Sequence, residues 1–311
     1  MHAGTIGSLE LSRIGLGGYE LEGDPAWRGA RDVISAAVES GIDWVDTSEA
    51  YFDGANERTV GAALRDVGAE MRISTKVAPS PSGTGFEPAQ IREACVGSLG
   101  RLGVDRLDMY LLHWPDDTGV ALESTWEAMR QLVDEGSVRL AGLSNFDRPD
   151  IERCLAVGPV DVVQDGLSPL DHLENRTLFR WSADRGIGVV TYEPLANGML
   201  AGAITAPEDF ARVVGEDYAR WPFWQRLFSP GKFERSQAVA DGMLAVANRL
   251  GRSMAQVALA WNLHQDAVTA TIAGSRNPKH VGENATAASI AFDDADLAEL
   301  EAVIARGPTI E

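Results

Sequence analysis

Cys95 and Cys154 are the only thiols in 311 residues. A pair this sparse excludes a disulfide framework and a cysteine-based metal site. Lysine is nearly as scarce: Lys76, Lys232 and Lys279 stand among basic residues that are otherwise arginine. No apolar run approaches the roughly 20 residues that cross a bilayer. The opening MHAGTIGSLELSR lacks the charged-then-apolar order of a secretory signal. The five histidines (His2, His113, His172, His264 and His280) show no HExxH-type spacing, so no metal is expected. There is no strand–GxGxxG–helix unit, because GLGGYE at 15–20 does not run on into a helical pattern, and GLSNF at 142–146 is not the GxSxG elbow of a hydrolase. Positive charge is also in deficit. A formal net charge of −19 argues against general affinity for nucleic acid or an anionic membrane surface. The chain is expected to be cytoplasmic, a monomer or weak homo-oligomer with a small-molecule partner.

What is present is an ordinary globular composition, 45% hydrophobic and 23% charged, long enough to bury a large core. Short apolar runs recur at 13–18, 42–46, 71–77, 107–112, 138–143, 161–164, 187–191 and 269–273. Helical periodicity fills the intervals near 28–40, 57–68, 87–102, 121–135, 149–156, 174–185, 236–250 and 278–288. Further helices fit 253–264, with Ser253 as N-cap, and 294–305, and residues 4–12 read as a hairpin. Eight βα units in series predict a (β/α)8 TIM barrel with an N-terminal β-hairpin and extra C-terminal helices. No composition break divides the chain, so residues 1–311 are expected to form one barrel domain, with a long loop at 201–235.

In such a barrel, functional side chains follow the C-terminal ends of the strands. The second run ends in Asp46 and leads to Tyr51; Lys76 closes the third, His113 follows the fourth, and Ser144-Asn145, Gln164, Tyr192-Glu193 and Gly274-Ser275-Arg276 follow the rest. Alone, Lys76 reads as a strand-end lysine reaching water, His113 as a structural histidine before a proline turn, Tyr51 as a loop aromatic and Asp46 as a cap. Their joint occurrence on successive strand ends asks for another explanation. A phenol with a pKa near 10 is a reluctant acid at neutral pH. An ammonium at Lys76 is expected to lower that pKa, with Asp46 holding the lysine and His113 orienting a substrate oxygen. A group so assembled can protonate an oxygen that gains charge, as a carbonyl does on receiving a hydride. Tyr19, Phe52 and Trp114 are expected as pocket walls beside Tyr51 and His113.

The segments GIDWVDTSEAY, STKV, LLHWPD, GLSNF and IAGSRNPKHVGEN resemble, in order and spacing, the aldo-keto reductase superfamily, from GLGGY at 15–19 to GEN at 282–284. The resemblance implies a TIM-barrel oxidoreductase that uses NADPH to reduce an aldehyde or ketone, including sugar-like ones. It implies a catalytic tetrad of Asp46, Tyr51, Lys76 and His113, with Tyr51 as general acid. It further implies a nicotinamide carboxamide held by Ser144, Asn145 and Gln164, and an adenosine 2′-phosphate at Ser275 and Arg276 near His280, Glu283 and Asn284. Gly18, Asp46, Tyr192, Leu195 and Gly274 complete the expected cofactor contacts. In many relatives an aromatic three positions after the glutamine stacks under the nicotinamide; here that position is Leu167, and the extra aromatic contribution of roughly 0.5–1.5 kcal/mol would be absent. His280, at the helix start, would make phosphate binding pH-sensitive.

Two further functional readings stand beside this one. The same fold serves non-catalytic, nucleotide-sensing subunits, and a barrel lysine can form a Schiff base in an aldolase. Within the long loop, Trp221, Phe223, Trp224 and Phe228 either close over the pocket or anchor the loop to the barrel.

Overall fold

The computed structural model describes residues 3–21, 28–79, 86–215, 227–229 and 231–308 of the chain. Every expected strand forms. A two-stranded antiparallel hairpin, β1 (Ala3–Ile6) and β2 (Leu9–Ser12), precedes eight parallel strands. These are β3 (Ile14–Gly17), β4 (Trp44–Asp46), β5 (Arg72–Val77), β6 (Leu107–Leu112), β7 (Val138–Ser144), β8 (Val162–Gly166), β9 (Gly188–Tyr192) and β10 (Ala270–Gly274). They pair in chain order, and β10 closes on β3 to complete the barrel.

Helices wrap the outside: α1 (Arg28–Glu39), α2 (Ala55–Val67), α3 (Pro88–Leu102), α4 (Leu122–Asp134), α5 (Arg148–Val157), α6 (Asn175–Ala183), α7 (Asp209–Val214), α8 (Lys232–Leu250), α9 (Met254–Leu263), α10 (Pro278–Ala285) and α11 (Asp294–Ile304). Their starts are written in the sequence. Asp147 accepts from Asp150 N at 2.9 Å to open α5, and Ser253 caps α9 as expected, accepting from Gln256 N at 3.2 Å. The helices' apolar faces and the outward side chains of the strands form one continuous core layer.

Inside the barrel lies a second, smaller apolar cluster: Trp44, Met109, Leu111, Leu140, Val162, Val190, Ala270 and Ile272 pack with Ile6, Leu9 and Leu11 of the hairpin. The hairpin is therefore a plug in the N-terminal mouth. Trp44 needs Gly15 opposite it, since a Cβ there would lie 2.2 Å from the indole, and its Nε1 donates to Ser12 O at 2.9 Å. With that mouth sealed, ligands have access from the other end.

The stretch expected as an unstructured loop at 201–235 carries α7, and α8 begins at Lys232 rather than near 236. Phe228 is buried and stacks on Phe210 at 4.2 Å between ring centroids, close to Phe233. It anchors this segment instead of reaching the rim. Trp221, Phe223 and Trp224 lie outside the described residues.

Candidate active site

Side chains two apart on a strand point the same way, so an inward residue lower on a strand has an inward successor one step nearer the open mouth. Above Trp44 comes Asp46, above Ser74 comes Lys76, above Leu111 comes His113, and above Val162 comes Gln164. The successors meet. Lys76 Nζ donates to Asp46 Oδ2 at 2.5 Å and to Thr47 O at 3.0 Å. Asp46 Oδ1 accepts from Ser74 Oγ at 2.8 Å and from Gln164 Nε2, across the barrel, at 3.0 Å. Lys76 is 1% exposed and Asp46 4%, so this is a buried ion pair with its lone pairs satisfied, the condition under which such a pair is tolerated.

Tyr51 reaches this pair from the loop between β4 and α2. Lys76 Nζ lies 5.3 Å from the centroid of the Tyr51 ring. The loop is conformationally unusual: Phe52 and Asp53 have φ of 53° and 51°, followed by Gly54 at 73°. Two consecutive non-glycine residues in the left-handed region cost on the order of 1–3 kcal/mol each, a cost that persists only where surroundings enforce it.

His113 packs edge-on to Tyr51 at 5.6 Å between ring centroids, and its Nδ1 is 3.0 Å from Ser48 Oγ. Tyr19 meets Tyr51 at 5.1 Å and stacks on Phe52 at 5.4 Å, and Trp114 lies 4.4 Å from the His113 ring. Phe52 and Trp114 are exposed on the rim. The five expected substrate-side residues thus form a continuous chain of ring contacts.

The electrostatics differ from expectation in one respect. Lys76 does favour the Tyr51 phenolate, but burial outweighs it and Asp46 adds to burial, so the phenol's pKa lies above its ordinary value of 10.0. Tyr51 is held protonated instead of being driven toward ionisation. Burial pulls Lys76 toward the neutral amine, yet Asp46 and Tyr51 together keep its pKa above normal. Burial, with help from Lys76, pushes His113 well below 6.5, so its ring is neutral near pH 7.

Of the expected cofactor residues, Ser144, Gln164, Tyr192 and Gly274 lie at or near the C-terminal ends of their strands. Asn145, at φ 65°, is committed inward: its Nδ2 donates to His113 O and Ser144 Oγ, and its Oδ1 accepts from Tyr192 OH at 2.6 Å. Because Ser144 Oγ accepts from Asn145, its own proton is what it can offer a ligand. Gln164 spends its NH2 group on Asp46 and turns its carbonyl elsewhere.

Leu167 is not a candidate ring support. It is fully buried, and its carbonyl is fixed by Asn262 Nδ2 at 2.6 Å. The half-buried aromatic beside Asn145 is Tyr192, with His172 packed edge-on against it at 6.2 Å. Leu195 packs partly into the outer core.

On the far side of the mouth, Gly18 N donates to Asp46 O at 2.7 Å, and a Cβ on Gly18 would meet that oxygen at 2.6 Å. Gly274 is similarly covered by the Glu20 side chain, and Arg276 pairs with Glu20 at 3.3 Å. Ser275 Oγ accepts from Asn277 N at 3.1 Å, just ahead of α10. On α10, Lys279 pairs with Glu283 at 3.5 Å, exposed His280 lies 3.4 Å from Asn277 Nδ2, and Asn284 is buried.

Ser48 and Ser74 touch the central groups but carried no role in the sequence reading. Ser74 was accessible to reasoning, since it precedes Lys76 by one pleat and must share its face. Ser48 sits in an irregular loop, where no period predicts direction.

A closed parallel barrel with a floor of hydrocarbon and a polar cluster at its strand C-termini defines a (β/α)8 enzyme scaffold. The family model described as the aldo/keto reductase family matches residues 13–305. The NADH-specific methylglyoxal reductase of Escherichia coli (strain K12) is 32% identical over 316 residues, covering 93% of both proteins. Among solved structures, a glycerol dehydrogenase from Gluconobacter oxydans matches with a TM-score of 0.85 at 26% identity, over 98% of this chain and 95% of that one. An aldo-keto reductase from Klebsiella pneumoniae, solved in complex with NADPH, matches with a TM-score of 0.75 at 29% identity, over 99% and 97%. The chain belongs to the aldo/keto reductase family.

Proposed function

We propose that this protein is an NADPH-dependent oxidoreductase that reduces a small aldehyde or ketone to the alcohol, and that Tyr51 is its proton donor. The observation carrying this reading is the buried Lys76 ammonium at the open mouth of the barrel, bonded to the Asp46 carboxylate and 5.3 Å from the centroid of the Tyr51 ring. A bound reduced nicotinamide supplies the hydride to the carbonyl carbon. The rest falls to the chain. Tyr51 gives its O–H proton to the carbonyl oxygen as negative charge grows there, and Lys76 stabilises the phenolate left behind. Asp46 holds the ammonium in place.

Ser48 Oγ lies closer to His113 Nδ1 (3.0 Å) than to Lys76 O (3.3 Å), which favours donation of its proton to the ring. The neutral imidazole then carries its proton on Nε2, suited to bond the substrate oxygen beside the phenol. The same groups run alcohol oxidation in reverse. A lysine kept protonated by a carboxylate and a carbonyl is a poor amine nucleophile, so Schiff-base chemistry is disfavoured.

The residues fit a nicotinamide nucleotide. Ser144 and Gln164 offer a donor and an acceptor, as a carboxamide requires. Tyr192 offers an aromatic face, and Gly18 leaves room for close approach where a Cβ would not fit. Arg276 and the N-terminus of α10 suit the adenosine-side phosphate, with Arg276 exchanging Glu20 for the ligand. The wall of Tyr19, Phe52 and Trp114 suits a small carbonyl compound with apolar substituents.

Replacing Tyr51 by Phe tests the reading. Carbonyl reduction, followed as loss of the reduced-nicotinamide absorbance over a panel of aldehydes, is expected to fall by about 10²–10⁴-fold. The dissociation constant for NADPH, read by fluorescence titration, should barely change. Full turnover by Tyr51→Phe would remove the phenol from the chemistry. Tight NADPH binding by the wild type with no turnover on any carbonyl would turn the assignment toward a nucleotide-sensing subunit.

A further inference from the structure

The loop that presents Tyr51 has little secondary structure to hold its strained backbone, yet both its flanks converge on one side chain from another element. Arg101, near the end of α3, projects its guanidinium between Gly54 and Gly97. A Cβ on Gly54 would lie 2.7 Å from Arg101 Nε, and one on Gly97 would lie 2.8 Å from Nη1. Arg101 Nε donates to Glu57 Oε2 at 2.6 Å, and Nη2 reaches Ser98 Oγ at 3.2 Å and Glu49 Oε2 at 3.5 Å.

Glu57, in the first turn of α2, is fully buried, and its other oxygen accepts from Thr75 Oγ1 at 2.6 Å. Thr75 is the residue before Lys76. Glu49 Oε1 accepts from Ala78 N, two residues past Lys76, at 3.2 Å. One guanidinium thus bonds the chain two residues before Tyr51 and six after it, through two carboxylates that also hold the strand carrying the lysine, and packs against the glycine three after it. The guanidinium spreads its donors over Nε and Nη2 in a fixed plane, whereas a lysine would gather all of its donors on one terminal nitrogen.

We propose that Arg101 is a positioning residue for proton transfer, locking residues 49–57 around their left-handed turn at 52–54 and so fixing Tyr51 beside Lys76. The inference rests on the reading of Tyr51 as proton donor. It concerns a group that touches neither substrate nor cofactor, and its signature is therefore a selective one.

In the full-length protein, Arg101→Lys should lower kcat for aldehyde reduction by about tenfold or more, as small misplacements of a reacting group do. The Kd for NADPH should stay at the wild-type value. Hydrogen exchange at the amides of 48–55 should quicken while the barrel strands keep their protection. Millimolar free guanidinium should restore part of kcat to Arg101→Ala; if that variant does not fold, Arg101→Gln beside Arg101→Lys gives the same kcat and exchange readouts.

Wild-type kcat with wild-type loop exchange in Arg101→Lys overturns the proposal. So does a lowered Tm with kcat per folded molecule unchanged, which is what a merely structural arginine gives. Loop exchange is measured without turnover. Quickened exchange in Arg101→Lys alongside a fully active Tyr51→Phe would sink the Tyr51 reading while leaving the clamp itself intact, so the two failures are distinguishable.

Discussion

Trp44 and Asp46 sit two residues apart on the same strand and face the same barrel interior, yet they belong to opposite chemistries. Trp44 is fully buried among the hairpin plug and the lower inward residues of the strands, in contact with hydrocarbon. Asp46 is nearly as buried, but every neighbour it bonds is polar: Lys76, Ser74 and Gln164. One pleat, about 7 Å along a strand, separates a floor that contributes hydrophobic stability from a rim whose buried charges contribute little net stability and are kept for chemistry. The rim also carries the chain's strained backbone at 52–54 and at Glu193, Ala196 and Asn197, while among the described residues of the floor hairpin only Gly7 has a positive φ.

Substitutions on either side of that pleat should break different things. Lys76→Met carries the largest expected effect, because it leaves the Asp46 carboxylate buried without its counter-ion. Breaking a buried pair in this way costs about 3–5 kcal/mol, and the folded remainder should also lose carbonyl reduction. Chemical denaturation and turnover per folded molecule measure the two losses separately. Trp44→Ala should cost a comparable or smaller amount, about 3–5 kcal/mol from the cavity and lost packing, while kcat of the folded fraction survives below its lowered Tm. A Trp44→Ala protein that is stable but inactive would show that floor and rim are not separable.

The floor was the more legible of the two in sequence. Parallel strands buried on both faces read as continuous apolar runs, and eight such runs alternating with 3.6-period helices predict the closed barrel. The rim was legible wherever a strand's period carried through: Asp46, Lys76, His113 and Gln164 are simply the next inward positions. Legibility failed where the chain leaves the strands. Leu167 was expected under a ligand ring and is fully buried; one residue past β8, no period indicates which way a side chain turns. Arg101 and Glu57 carry no signal in the sequence, because pairing between α2 and α3 is decided by how the helices pack. That the Tyr51 phenol is pushed up, not down, has no signature in the sequence, since burial is a property of the folded surroundings.

The smallest expected effect is an absence of change with pH, and it follows from that burial. An isolated histidine at a catalytic mouth would give an inflection in rate near its ordinary pKa of 6.5. His113 is held well below that value by burial and by Lys76, and Tyr51 is held above 10.0 mainly by burial. Both groups therefore keep one protonation state, neutral imidazole and neutral phenol, across the interval between 6.5 and 10.0.

The linkage signs agree with this. Neutral His113 contributes stability in full above the unfolded value of 6.5, and that contribution is lost as pH falls toward the folded pKa. Tyr51, raised on folding, contributes below the unfolded value of 10.0 and loses that contribution as pH rises through its folded pKa. The kcat for reduction, measured at saturating NADPH, should be flat between about pH 6.5 and 9 and should fall only beyond the ordinary tyrosine range. A bell with a limb near 6.5 would mean that His113 titrates in the working enzyme, and hence that the rim is wetter than the floor's seal implies.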